Sequence, residues 1–187
     1  MKIFNFITLI LLLISNPVIA EESIRVSLDS IDRGSLQDFF GRPEIQFTAY
    51  IQVKFVISNH ITSTERIKVK TSYPFAIDDY RSIVDWRKLE VLSIPMAKVD
   101  EVLNSITERI RSRNLNVNHE DISVKLMVHA HVLDMLISDK IDLKHIDIRS
   151  LSKTASQKLV LTNEWAGIYK PIKINLSVSI EDLDTHL

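Results

Sequence analysis

The stretch EIQFTAYIQVKFVIS, from Glu44 to Ser58, alternates between apolar and polar side chains for longer than any other part of the chain. Successive side chains of a β-strand point to opposite faces, so a period of two predicts a strand with one buried face and one solvated face. Fifteen residues in one strand would extend about 50 Å, so we also expect a bulge or bend within it. The side chains expected in the core are Ile45, Phe47, Ala49, Ile51, Val53, Phe55 and Ile57.

Weaker alternation on both sides of this stretch predicts further strands. Ile67, Val69 and Thr71 alternate with basic residues, which predicts an antiparallel hairpin with the stretch before them. The closing stretch from Lys173 to Ile180 alternates just as clearly. The other predicted strands are 24–28, 89–94 and 157–162.

The principal helix is predicted to begin at Pro95. Proline suits the first turn of a helix, because its fixed backbone angle matches the helix and its missing N–H is not needed there. Val99, Val102 and Ile106 then recur at helical spacing. This pattern continues to Asn114 and predicts a helix with one apolar face.

Residues 116–139 are compatible with two interpretations, because residues 122–131 alternate as a strand does and the residues that follow have a helical pattern. We expect a strand and then a second possible helix at about residues 132–139. The predicted fold class is therefore α+β. It consists of an antiparallel β-sheet with the principal helix, about residues 95–113, packed on one face.

The N-terminal residues have the pattern of a signal peptide. Lys2 supplies a positive charge, an apolar run follows from Phe6 to Ile14, and Ala20 ends a typical cleavage site. A retained membrane anchor is the alternative, but the run is about half of the ~20 residues that a spanning helix needs. We expect cleavage after Ala20, a single secreted domain over residues 21–187, and a periplasmic or secreted location in a bacterium.

The composition excludes several classes of chemistry. The chain has no cysteine, which excludes disulfides, thiolate metal sites, cysteine nucleophiles and a lipid-modified N-terminal cysteine. With 23 basic and 24 acidic residues, it lacks the basic excess of a typical nucleic-acid-binding domain. Its three glycines provide no nucleophile elbow, P-loop or dinucleotide fingerprint. We therefore predict no catalytic residue, no cofactor and no nucleic-acid partner.

The best candidates for a metal site are His129 and His131, with Asp134 close behind. On a strand the two histidines project from one face about 6–7 Å apart and can provide two ligands of a zinc ion, whereas on a helix they point about 200° apart. The spacing is similar to the HxHxDH motif of metallo-β-lactamase-like hydrolases, although Leu133 and Asp134 replace its aspartate and histidine. This resemblance implies a metal-dependent hydrolase. The alternative is a pair of histidines on a solvated sheet face.

Two further groups are compatible with ligand binding. Arg109, Arg111 and Arg113 gather near the end of the principal helix, where cations also stabilise the helix dipole by about 0.3–1 kcal/mol without any ligand. Trp165 with Tyr169 is compatible with a carbohydrate or peptide platform. Isolated aromatic side chains of this kind also pack in cores and at sheet edges.

The run Ala166-Gly167-Ile168-Tyr169, followed by the closing strand, resembles the A-G-x-Y turn and final strand of chaperone-usher pilus subunits. The resemblance covers about fifteen residues, and a turn of this type is common in exported β proteins. The Pro95 helix argues against a pilus subunit. No family is therefore assigned.

Long two-faced strands, near-neutral charge and the absence of catalytic motifs predict a non-catalytic binding or assembly factor that meets a protein partner through a sheet edge or an open sheet face. The candidate edge is the closing strand, because the proline and lysine at its start are typical guards of edge strands. Its predicted partner-binding residues are Lys173, Asn175 and Ser177. The alternative function is a metal-dependent hydrolase that uses His129 and His131.

Overall fold

The computed structural model describes residues 21–32, 44–57, 61–76, 83–113, 122–133, 138–162 and 172–182. Within these residues the chain forms nine β-strands, one α-helix and one short 3-10 helix. In chain order they are β1 (Glu22–Asp32), β2 (Glu44–Ile57), β3 (Ile61–Thr71), β4 (Phe75–Ala76), β5 (Ile83–Pro95), α1 (Met96–Ser112), β6 (Ser123–Leu133), β7 (Ser138–Asp147), the 3-10 helix (Ile148–Ser150), β8 (Gln157–Thr162) and β9 (Lys173–Asp182).

The described strands form two antiparallel sheets. Sheet A has the strand order β5-β1-β9-β8, and sheet B has the order β3-β2-β6-β7, with the short β4 pairing with β2 beside β3. The broad α+β class and the antiparallel pairing are confirmed, but the prediction of a single sheet covered by a helix is wrong. Strands with one apolar face must bury that face, and one helix of 17 residues cannot cover so many of them. Each sheet instead covers the other.

The strand predicted from residues 44–58 is confirmed as β2 (Glu44–Ile57), which lies between β3 and β6. Its pairing with β6 runs from Glu44 to Lys54 without a shift in register. The pairing with β3 shifts between Ala49 and Tyr50, because Val69 is an extra residue on β3. The irregularity that the length of this strand predicts is therefore present, but the extra residue lies in the neighbouring strand.

The inward side chains of both sheets join in one hydrophobic core. Phe47, Ile51, Val53 and Phe55 are all buried in it, as the alternation predicts. Phe47 is among the largest side chains that the structure buries completely. At about 25 cal/mol for each Å² of apolar surface, burial of a side chain of this kind stabilises the fold by roughly 1.5–3 kcal/mol.

The predicted principal helix is confirmed as α1, which begins at Met96, one residue after the predicted start, but it contacts both sheets instead of covering one. It touches β1 and β5 of sheet A and β2 of sheet B. An ion pair of 2.7 Å between Arg109 and Glu65 holds it to β3. Among the described residues, no helix is both long enough and apolar enough to cross a membrane. The buried side chains of α1 are Val99, Val102, Ile106 and Ile110.

The prediction of a second helix at about residues 132–139 is wrong where the structure describes that segment. Strand β6 continues to Leu133 and β7 begins at Ser138, while residues 134–137 lie outside the described residues. Val132 is buried and pairs with Ile45 of β2. Pairing with the central strand therefore overrides the local helical pattern.

Candidate functional site

The outer face of sheet B is built from the side chains of β2, β3 and β6 that point away from the core. At its centre is Tyr50 on β2, with Lys68 of β3 opposite on one side and Met127 of β6 opposite on the other. Lys68 is exposed, Tyr50 is half-buried and Met127 is buried. The centre of this face therefore combines an aromatic ring, a thioether and a cation.

Three further cations surround this centre, and together with Lys68 they form what is here called the basic face: Lys54, Arg66, Lys68 and Lys125. Gln52 pairs in register with Arg66 on one side and with Lys125 on the other, which places these cations two strands apart, about 10 Å. Arg66 and Lys68 alternate along β3, about 7 Å apart. Four positive charges thus lie within the reach of one extended segment of a partner.

No carboxylate of the described residues forms an ion pair with any cation of the basic face. Asp147 lies opposite Lys125 in register, but its Oδ1 accepts a hydrogen bond of 2.9 Å from the backbone N–H of Arg149. Glu44 lies at the far end of β2. The chain as a whole is nearly neutral, so this face is a local concentration of positive charge.

The outer face of sheet A contains a different arrangement of charge. Arg25 on β1 forms ion pairs of 3.1 Å with Glu90 on β5 and 2.6 Å with Glu181 on β9. The guanidinium therefore links three neighbouring strands. All three side chains are partly exposed, so the pairs are worth little individually, in the range of about 0–1 kcal/mol each.

A second polar cluster on sheet A joins Asp29, Lys158 and Ser177 from three strands. The Ser177 hydroxyl donates to the Asp29 carboxylate at 2.6–2.7 Å and accepts from Lys158 Nζ at 2.8 Å. Lys158 Nζ also lies 2.6 Å from Asp29 Oδ2. The three side chains therefore link β1, β8 and β9 of sheet A. This cluster was not predicted from the sequence, because Asp29 lies more than a hundred positions from Lys158 and Ser177 along the chain.

A third group of charges lies where β1 begins and β9 ends, and it includes Lys153 from the segment between the 3-10 helix and β8. Lys153 lies 2.9 Å from Glu22 and 2.6 Å from Asp182. The hydrogen bond to Asp182, followed by the one to Glu22, raises the pKa of Lys153 above its ordinary value of 10.5. The lysine is therefore charged in the folded protein throughout the physiological pH range.

The predicted edge position of the strand that carries Lys173, Asn175 and Ser177 is wrong. Strand β9 lies inside sheet A, paired with β1 on one side and with β8 on the other. Its backbone groups are used in these ladders, so strand addition has no free edge there. Asn175 donates to Ser30 Oγ at 2.8 Å, and Ser177 belongs to the polar cluster. Lys173 is exposed at the start of the strand, and a role for it in partner binding stays a prediction.

His129 and His131 project together from the outer face of sheet B, because residues 123–133 form a strand. Their ring centroids are 4.1 Å apart, with an angle of 77° between the ring planes. Asp134 lies outside the described residues. Within the part of the chain that the structure describes, no group of three histidine, cysteine or acidic side chains is arranged to hold a metal ion. The metal site stays a prediction.

Of the remaining candidates from the sequence, the three arginines at the end of α1 lie within the described residues. Arg109 is engaged by Glu65, while Arg111 and Arg113 are exposed at the end of α1. Trp165 and Tyr169, and with them the A-G-x-Y turn, lie outside the described residues. The three arginines lie on α1 or directly after it and are not part of the basic face.

The chain matches no protein-family model and no curated protein sequence. The function is therefore inferred from the geometry and charge of its own surfaces.

Proposed function

We propose that the chain is an exported, non-catalytic binding or assembly domain that binds an acidic protein partner on the basic face. The observation that carries this proposal is the set of four cations on sheet B that have no carboxylate partner among the described residues. Export is supported by the signal-like N-terminal sequence. The open sheet face, and not the edge at β9, is the binding surface in this proposal.

The physical basis is electrostatic complementarity. Neighbouring cations repel one another, so their grouping on one face slightly lowers the stability of the protein without a partner. The same grouping favours binding of an acidic partner. Complementary charge accelerates association and excludes partners of the wrong charge. Tyr50 is half-buried among the cations, and its ring supplies aromatic contact of the kind that is typical of the centre of a protein interface.

A protein partner fits this surface better than a nucleic acid does. The face consists of a few cations on a chain whose formal net charge is −1, whereas domains that bind nucleic acids usually have a strong basic excess. An acidic segment that lies across β3, β2 and β6 can place carboxylates beside Arg66, Lys68 and Lys125 in turn. Each such contact exposed at the rim is worth about 0.2–1 kcal/mol, so apolar contact must add to the affinity.

The test is capture of partners from native extract by the purified protein, with two variants that each remove three positive charges. The face variant combines R66Q, K68Q and K125Q. The control variant combines R111Q, R113Q and K173Q, which are exposed cations outside sheet B. Captured proteins are identified by mass spectrometry at low and at high salt, because an interaction between exposed charges weakens as salt screens it.

The expected result is that the face variant loses a specific acidic protein that the native protein and the control variant both retain. Loss of the same protein from both variants would show that only total charge matters. Loss from the control variant alone would move the binding surface to α1 or to Lys173 of sheet A.

The second candidate function is a metal-dependent hydrolase, which the close contact between the rings of His129 and His131 favours. Two imidazoles from one strand provide two of the three protein ligands that a catalytic zinc ion uses. Elemental analysis of the purified protein is the test. Stoichiometric zinc that H129A removes would support the hydrolase, and metal content that is unchanged in H129A would set it aside.

A further inference from the structure

A cleft lies between α1 and the inner surface of sheet B, on the opposite side of that sheet from the basic face. Its volume is about 220 Å³. Val53 and Val124, which pair in register on β2 and β6, form one wall, and Leu103, Ile106 and Ile110 of α1 form the other. The lining also includes Thr107 of α1, Ile122 and, from the 3-10 helix, Arg149.

The size and the lining of this cleft suit a small apolar group. A dry cavity of about 150 Å³ lined by apolar side chains binds benzene, and sites for drug-sized ligands begin at about 300 Å³. A cleft of 220 Å³ lies between these volumes, which corresponds to a chain of about eight carbon atoms. Thr107 also lines the cleft, but its hydroxyl donates to the carbonyl of Leu103 at 2.8 Å and is already satisfied.

Among the described residues that line the cleft, Arg149 alone is charged. Its backbone N–H donates to Asp147 Oδ1 at 2.9 Å, which fixes the short turn that carries the side chain. No carboxylate of the described residues forms an ion pair with its guanidinium, and Glu65 is engaged by Arg109. A guanidinium beside an apolar cleft matches a carboxylate, which it binds through two parallel hydrogen bonds.

We propose that this cleft binds a small unbranched monocarboxylate of about eight carbon atoms, with the carboxylate at Arg149 and the apolar tail between α1 and sheet B. This site is separate from the basic face and goes beyond the proposed partner binding. The aliphatic stem of the arginine can also line an apolar wall while its charge stays in water. The experiment must therefore distinguish the charge of Arg149 from its stem.

Octanoate is the probe, and octanol, which has the same tail without the charge, is the matched control. Each is titrated into the purified protein by calorimetry, and methyl NMR spectra are recorded in parallel. Octanoate is expected to shift the methyl signals of Ile106, Ile110 and Val124, and to bind more tightly than octanol. Absence of octanoate binding at millimolar concentration, or shifts confined to methyl groups away from the cleft, would overturn the proposal.

Three variants locate the contacts. R149Q is expected to weaken octanoate binding about tenfold and to leave octanol binding unchanged. L103W fills the cleft and is expected to abolish binding of both molecules, while R111Q, an exposed arginine of α1 outside the cleft, is expected to change neither. Unfolding curves confirm that each variant is folded. Equal losses of octanoate and octanol in R149Q would show that the arginine serves only as a wall, and unchanged binding in L103W would place the ligand elsewhere.

Discussion

The outer faces of sheets A and B both carry charged side chains, but they use them differently. On sheet A, Arg25 bridges two glutamates and Lys158 pairs with Asp29. On sheet B, Arg66 and Lys68 lie beside one another without a carboxylate partner among the described residues. These charges of sheet A therefore connect strands of the same molecule, whereas Arg66 and Lys68 of sheet B make no such connection within the described residues.

This difference predicts that charges on sheet A affect the stability of the protein, whereas charges on the basic face affect its binding. Removal of a charge from sheet A breaks hydrogen bonds that the folded chain makes with itself, so it should change the free energy of unfolding. Removal of a charge from the basic face breaks no described contact, so it should change affinity and leave stability nearly unaltered.

The largest expected effect contrasts the two sides of β2. Phe55 is 3% exposed in the core, so Phe55→Ala should lower the free energy of unfolding by about 3–5 kcal/mol. Lys54 points outward on the basic face, and Lys54→Ala should change the free energy of unfolding by less than about 0.5 kcal/mol. Urea unfolding measures both. Equal midpoints for the two variants would show that the assignment of faces is wrong.

The next effect concerns the polar cluster of sheet A. Asp29→Ala removes the acceptor of the Ser177 hydroxyl, and Ser177 is only 5% exposed, so the expected loss of stability is about 1–3 kcal/mol. Asp29→Asn keeps an acceptor and should recover part of this loss. Lys68→Ala on sheet B is the matched control and should have almost no effect. A loss in Lys68→Ala as large as that in Asp29→Ala would remove the distinction between the faces.

A smaller effect is expected at Arg25, whose ion pairs are partly exposed. Arg25→Met keeps much of the aliphatic stem and should cost about 0.5–1 kcal/mol at low salt. High salt screens these pairs, so the difference between native protein and variant should shrink as salt is added. Unfolding midpoints at two salt concentrations give the comparison. A difference that grows with salt would rule out ion pairing as its cause.

The smallest effect is a dependence on pH at Lys153. Because the folded protein raises the pKa of this lysine, the stabilising contribution is complete below the ordinary value of 10.5 and is lost as the pH rises through the higher folded value. Native protein should thus lose stability in this alkaline range relative to Lys153→Met. Thermal unfolding of both proteins from pH 9 to pH 12 tests this dependence. Melting temperatures that fall in parallel with pH would contradict a stabilising role of charged Lys153.

Local pattern was enough to predict much of the fold. The alternation in β2, β8 and β9 and the spacing in α1 each depend on neighbouring residues, so they were visible in the sequence. Membership of a sheet depends on partners far away in the chain. Strand β1, for example, pairs with β5 and β9. For this reason neither the second sheet nor the interior position of β9 was predicted.

The candidate site was less predictable than the fold for the same reason. The alternation of Arg66 and Lys68 was visible, but the position of Lys125 across β2 depends on the pairing of β6. The shared face of His129 and His131 followed once residues 122–131 were interpreted as a strand. Ser177 was instead predicted to bind a partner. Its contact with Asp29 joins residues that lie 148 positions apart, so local pattern could not reveal it.

The most direct test of the account is the binding of fluorescent poly-L-glutamate to the purified protein, measured by anisotropy at low salt. Native protein and the control variant (R111Q, R113Q, K173Q) should bind it equally. The face variant (R66Q, K68Q, K125Q) should bind at least about tenfold more weakly, which corresponds to about 1.4 kcal/mol. Equal affinity of the two variants for the probe would contradict the claim that the outer face of sheet B is the binding surface.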